Sequence, residues 1–121
     1  MKDWENQQTF DFVLSDNRFL RASITPNDDG SYSPGLSEIM SVTGADIHPL
    51  LSPVPCEPGS GHYEAFIQLL GVVQWKVVRT EAILDSVLIR RGVDDVSENM
   101  LTRIISHFAP GVKVVRAGIS R

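Results

Sequence analysis

Two short segments near the start of the chain alternate apolar and polar residues, and this alternation limits the fold more than any other feature of the sequence. In 9–14, Phe10, Phe12 and Leu14 recur at every second position; in 19–25, Leu20, Ala22 and Ile24 do the same. A period of two sends side chains alternately to the two faces of a strand, so each segment has one apolar and one polar face. Ser15-Asp16-Asn17-Arg18 lies between them, and Asp and Asn tolerate the left-handed backbone of a tight turn. The pair predicts a β-hairpin with one face in need of cover.

The second strand is expected to stop at Pro26, with Asn27-Asp28-Asp29-Gly30 as a turn and Ser33-Pro34-Gly35 as loop. Leu36, Ile39 and Met40 stand at helical spacing, so 36–43 reads as a short helix, with a strand over 39–43 as the alternative. Residues 44–60 hold four prolines and two glycines. Proline removes a donor and restricts its predecessor, so this stretch reads as a structured loop.

From His62 to Arg91 there is no proline and one glycine, Gly71. Phe66, Leu69, Leu70, Val73, Val77, Leu84 and Leu88 make a helical stripe, interrupted at Thr80-Glu81. The sequence therefore predicts a helix over 61–91, capped by Ser60 and stopped at Gly92. Asp95-Val96-Ser97-Glu98 has the pattern of a capping box for a second helix. Leu101, Ile104, Ile105 and Phe108 form the buried face of that helix, and Ala109-Pro110-Gly111 ends it. Residues 112–116 read as a last strand, followed by a tail. The expected class is α+β: a small, mainly antiparallel sheet built from the hairpin and the C-terminal strand, with the two helices covering one face.

A straight helix over 61–91 is roughly 46 Å long at ~1.5 Å per residue, against roughly 35 Å across a domain of this length. It must break near Gly71 to Trp75, or protrude and expose Phe66, Leu69, Leu84 and Leu88. A homodimer through this helix would bury such a patch.

Composition narrows the function classes. A chain of 121 residues, 42% apolar and 21% charged, fits one globular domain, residues 1–121. Its apolar runs are too short to span a bilayer, and its first ten residues lack the apolar region of a secretory signal. The single cysteine, Cys56, cannot form an internal disulfide. These features lead us to expect a cytoplasmic protein without a membrane partner. The net charge of −4 is uneven: residues 1–75 carry 3 basic and 10 acidic side chains, residues 76–121 carry 8 and 5. Such asymmetry marks either a contact surface or two halves that face each other.

Polar groups with chemical potential gather in 48–64. Cys56 and His62 are the candidate nucleophile and base, since a nearby imidazolium activates a thiol. An ordinary loop cysteine and a first-turn histidine explain them as well. His48, Cys56 and His62, with Glu57 or Glu64, match no zinc spacing, so no metal or cofactor is expected. Gly59-Ser60-Gly61 lacks the lysine and spacing of a P-loop and reads as a plain helix start. Asp28, Asp29 and Ser31 look like part of a calcium loop but lack its closing glutamate, which leaves them as turn residues. Helices on either side of Gly92 would admit a helix-turn-helix, with Arg79, Arg90, Arg91 and Arg103 as phosphate contacts. The acids around Glu98 and the net negative charge argue against it, and an αα-hairpin packed on the sheet is the simpler reading.

No motif names a family. The expected function is non-enzymatic: a protein-binding accessory protein of bacterial or phage type, such as an inhibitor, immunity protein, adaptor or assembly factor. Its expected contact surface is acidic, with Asp28, Asp29, Glu57 and Glu64, because clustered charge steers a complementary partner. The alternatives are a small enzyme or enzyme subunit using the 48–64 loop, and a nucleic-acid binder.

Overall fold

The hairpin stands at the centre of the molecule. In the computed structural model, which describes residues 7–39, 47–51, 54–57 and 61–116, β1 (Gln8–Leu14) pairs antiparallel with β2 (Phe19–Pro26). Phe10 stands opposite Ala22 and Phe12 opposite Leu20, so the expected apolar residues share one face. Asn17 takes the left-handed backbone of the turn, with φ 69°.

The class is α+β, but the sheet is larger than the sequence implied. Residues Tyr32–Ile39 form β3, a full-length partner of β2, where a loop at 33–35 and a helix at 36–43 were expected. Leu36 and Glu38 are buried while Ser37 and Ile39 are half-buried, an alternation that a helical reading of Leu36 and Ile39 conceals. Inside the proline-rich stretch, Ile47–Leu51 forms β4 against β3. It is an edge strand, where Pro49 costs no ladder donor. Residues 40–43 and Ser60, the expected cap, lie outside the described residues.

The expected helix over 61–91 is two elements. α1 spans Gly61–Thr80, about 30 Å at ~1.5 Å per residue, and β5 spans Leu84–Arg91. The break falls at Thr80-Glu81, where the stripe is interrupted, and not near Gly71. Glu81 is left-handed, with φ 58°. The Glu81 N–H donates to Val78 O (3.4 Å) and the Ala82 N–H to Val77 O (3.2 Å), which is the bond pattern of a helix C-cap normally occupied by glycine. β5 then runs antiparallel beside β1. Gly92 (φ 80°) ends this strand and does not stop a helix.

α2 spans Asp95–Phe108. Its cap is Asp94, one residue earlier than the expected box: Asp94 Oδ1 accepts from the Ser97 N–H (2.7 Å). The carboxylate of Glu98, the expected return acid, pairs with Arg116. β6 (Lys113–Arg116) then lies parallel to β5 at the edge. The six strands run β4-β3-β2-β1-β5-β6. α1 presses Ala65, Phe66, Leu69, Leu70 and Val73 into the core with Phe10, Phe12, Leu20 and Ile24; Leu101 and Ile105 of α2 join them, while Ile104 and Phe108 are half-buried. The opposite sheet face carries Thr9, Asp11, Arg21, Ser23 and Leu88, in register across β2, β1 and β5.

Two left-handed positions should respond in opposite ways. Glu81→Gly should stabilise the fold by about 0.5–1 kcal/mol, because glycine relieves the side-chain penalty of that backbone at some entropic cost. Gly92→Ala should destabilise it by more than ~1 kcal/mol, since a methyl there also collides with the Gln7 carbonyl. Urea titration of both variants checks the pair; a neutral Gly92→Ala contradicts the junction described.

Candidate functional site

His62 and Cys56 lie near the start of α1. The Cys56 N–H donates to Tyr32 O (2.9 Å), its Sγ accepts from Gln68 Nε2 (3.4 Å), and the residue is buried in the core. The His62 ring lies on Tyr32 (centroids 4.1 Å apart) and faces Phe66 (6.1 Å). Its Nε2 meets the Gln8 amide nitrogen at 2.9 Å. Burial pushes the His62 pKa below its ordinary value, and the Asp94 carboxylate pulls the other way. Gln8 Oε1, itself buried, has no hydrogen-bond partner among the described residues. This is a packed joint between β1, β3 and α1.

The acids named from the sequence come to the same end of the molecule. Asp28 and Asp29 form the β2–β3 turn, where Asp29 Oδ1 accepts from the Ser31 N–H (3.0 Å) and Oγ–H (2.6 Å). Those bonds hold its carboxyl below the usual range. Glu57 is exposed ahead of α1, and Glu64 lies in its first turn. Tyr32, the first residue of β3, packs on His62, which draws the turn and the helix start together. Glu64, in the first turn of α1, is stabilised by the exposed N–H groups there.

The four arginines are divided between the helix layer and the sheet. Arg79 lies over the Trp75 ring of α1 (5.5 Å), and Arg103 is on α2. Arg90 is on β5, where its Nε donates to Asp11 Oδ2 at 2.6 Å on the far side of the sheet; Arg91 is exposed at the end of that strand. Because a strand precedes Gly92, there is neither a helix-turn-helix nor an αα-hairpin.

Asp11 is a polar residue the sequence reading passed over. It is fully buried on the face away from the helices, and Arg21 closes it from β2 with two bonds (2.9 and 3.1 Å) while Arg90 closes it from β5. A carboxylate out of water must have its charge answered, and here two neighbouring strands answer it. Its position between Phe10 and Phe12 is the sequence signal: a charge on the outward side of a central strand.

The helix layer carries a groove and several exposed apolar side chains. A groove of about 550 Å³ opens between α1 and α2, lined by Tyr63, Ile67 and Gly71 on one side and Ile104, His107 and Phe108 on the other. Beyond it, α1 keeps an apolar stripe in water: Tyr63 is 58% exposed, Ile67 40%, Trp75 52% and Val78 69%. The residues expected in such a patch are not there. Phe66, Leu69 and Leu84 are in the core and Leu88 is half-buried on the sheet. Tyr63, Ile67, Trp75 and Val78 are spaced at three or four residues or multiples of them, a second helical face that the continuous 61–91 stripe masked.

His62 sets a pH dependence. With its folded pKa depressed, the unfolded chain takes up the proton first as pH falls. Stability should be full above about 6.5, the unfolded value, and decline below it until the folded group titrates. The carboxyls of Asp16, Asp29 and Asp94 are also held low, which adds a separate loss in the acid range below the carboxylate values. Melting curves from pH 8 to pH 5 should show the first loss, and His62→Gln should flatten it. An equal slope in the variant contradicts this assignment.

No protein-family model matches the chain, and no curated protein or solved structure matches it either.

Proposed function

We propose that the chain is a non-enzymatic protein-binding module of the accessory kind (an inhibitor, immunity protein, adaptor or assembly factor) and that its contact surface is the helix layer. The observation that carries this reading is the stripe Tyr63, Ile67, Trp75 and Val78 beside the α1–α2 groove. A chain of this size gains nothing for its own fold by keeping two large aromatic rings half in water, and contiguous apolar surface rimmed by polar groups marks contact sites. Tyr, Trp and Arg are also the residue types that dominate binding energy at protein interfaces. Arg79 and Arg103 belong to this layer and offer charge at its edges.

This moves the contact surface away from Asp28, Asp29, Glu57 and Glu64. The enzyme reading through 48–64 loses ground because His62 is engaged by Gln8 and aromatic rings. A nucleic-acid reading loses ground because its arginines are divided between two faces. Within the described residues, no helix is long and apolar enough to cross a membrane. A cytoplasmic location remains part of the proposal. The homodimer expected through 61–91 loses the length of that helix as its basis.

Photo-crosslinking in the cells that make the protein tests the reading. A photoreactive residue in place of Tyr63 or Trp75 should form protein adducts, and one in place of Val115, exposed on the opposite sheet face, should not. Adducts from Val115 alone, or none at all, would contradict it.

A further inference from the structure

The outer stripe of α1 has an internal symmetry. Gly71 lies near its middle, exposed, and a Cβ built there meets nothing within 4 Å. Glycine in a helix interior costs about 1 kcal/mol relative to alanine, and among the described residues nothing approaches close enough to require it here. A close approach by another backbone would account for it. Ile67 and Trp75 stand four residues before and after Gly71. Tyr63 and Glu64 stand eight and seven before it, Val78 and Arg79 seven and eight after it.

We propose that this face is the seam of a homodimer in which two copies of α1 cross antiparallel on a two-fold axis at Gly71. The proposal rests on the reading of the helix layer as the contact surface and names its occupant. A two-fold axis brings each residue before the centre onto the residue equally far after it in the second copy, so the surface must be complementary to itself. Here Ile67 meets Trp75; Tyr63, eight before the centre, comes within one residue of Val78, seven after it, and Glu64, seven before, comes within one residue of Arg79, eight after, an offset of ~1.5 Å that the side chains span. The last pair supplies the charge complementarity. In a parallel arrangement Glu64 would face Glu64 and the helix dipoles would repel; the antiparallel one matches acid to base at both ends and opposes the dipoles. Within one helix the two groups are about 22 Å apart at ~1.5 Å per residue, too far to pair. The groove beside α2 gives the second helix room on its flank.

Sedimentation equilibrium on the full chain, from one to a few hundred micromolar, tests the proposal. The wild type should approach twice 13.4 kDa and dissociate on dilution. Gly71→Leu should be folded, because leucine favours the helix and meets open space, yet remain monomeric across the range. Glu64→Arg and Arg79→Glu should each weaken the dimer about threefold to tenfold, and the double variant should recover most of the loss. A wild type at 13.4 kDa throughout overturns the homodimer. So does a dimer indifferent to Gly71→Leu and to the charge reversals, since its seam lies elsewhere. A monomer that still forms adducts with other proteins at Tyr63 or Trp75 leaves the binding reading standing without the homodimer. A monomer without adducts removes both.

Discussion

Phe66, Leu69, Leu70 and Val73 seat α1 in the core over β3 and β2, with Phe66 against Phe10 of β1, and the direction of the other α1 side chains follows from that packing. The Phe10 and Phe66 rings lie 5.8 Å apart, and Phe10 meets Phe12 edge-on at 5.5 Å. A helix can lay only one stripe on a sheet. Once this stripe is committed to the core, Tyr63, Ile67, Trp75 and Val78 must point outward. α2 covers part of the remaining surface and leaves a groove. The apolar outer face is thus a consequence of the inner one, and among the described residues it takes no part in the core.

Charges fasten the layers that the core brings together. Glu38, buried on β3, accepts from Lys76 of α1 (2.8 Å) and Arg18 of the hairpin turn (3.4 Å), so one carboxylate ties helix, strand and turn. On the other face Asp11 holds Arg21 and Arg90, which links the three adjacent strands β2, β1 and β5. Acids stand at the starts of both helices and Arg79 and His107 in their last turns. Asp11–Arg90 and Glu38–Lys76 join an acid of the first part of the sequence to a base of the second.

The hairpin, the inner face of α1, the α2 segment and the last strand were legible because each is governed by neighbours in sequence. Phe10, Phe12, Leu20 and Ile24 alternate cleanly, and Leu101 and Ile105 keep helical spacing. What escaped was decided by partners far along the chain. β3 looked helical because Leu36 and Ile39 stand three residues apart, which is helical spacing; on the strand they fall on opposite faces, and pairing with β2 is what sets that conformation. β5 passed for helix because Leu84 and Leu88 stand four residues apart, yet on the strand Leu84 faces the core and Leu88 the opposite side. The turn that separates α1 from β5 uses Glu81 where glycine is usual, so the strongest stop signal was missing. Cys56 and His62 drew attention as chemistry; the structure sets Cys56 in the core and His62 among the rings of Tyr32 and Phe66 and the Gln8 amide. The outer stripe needed the correct helix end before its spacing could be seen.

The account turns on whether the outer face of α1 meets its own copy. The most direct measurement is the electron–electron dipolar spectrum of a nitroxide attached at Glu81→Cys, a site exposed at the end of α1, with the buried Cys56 left unlabelled. In an antiparallel crossing at Gly71 the two labels stand ten residues from the axis on opposite sides. They are therefore separated by about 30 Å along the helices at ~1.5 Å per residue. A distribution centred near that distance, and lost in Gly71→Leu, is the predicted result. A spectrum with no dipolar modulation, or a separation of about 15 Å as two parallel helices would give, contradicts the account.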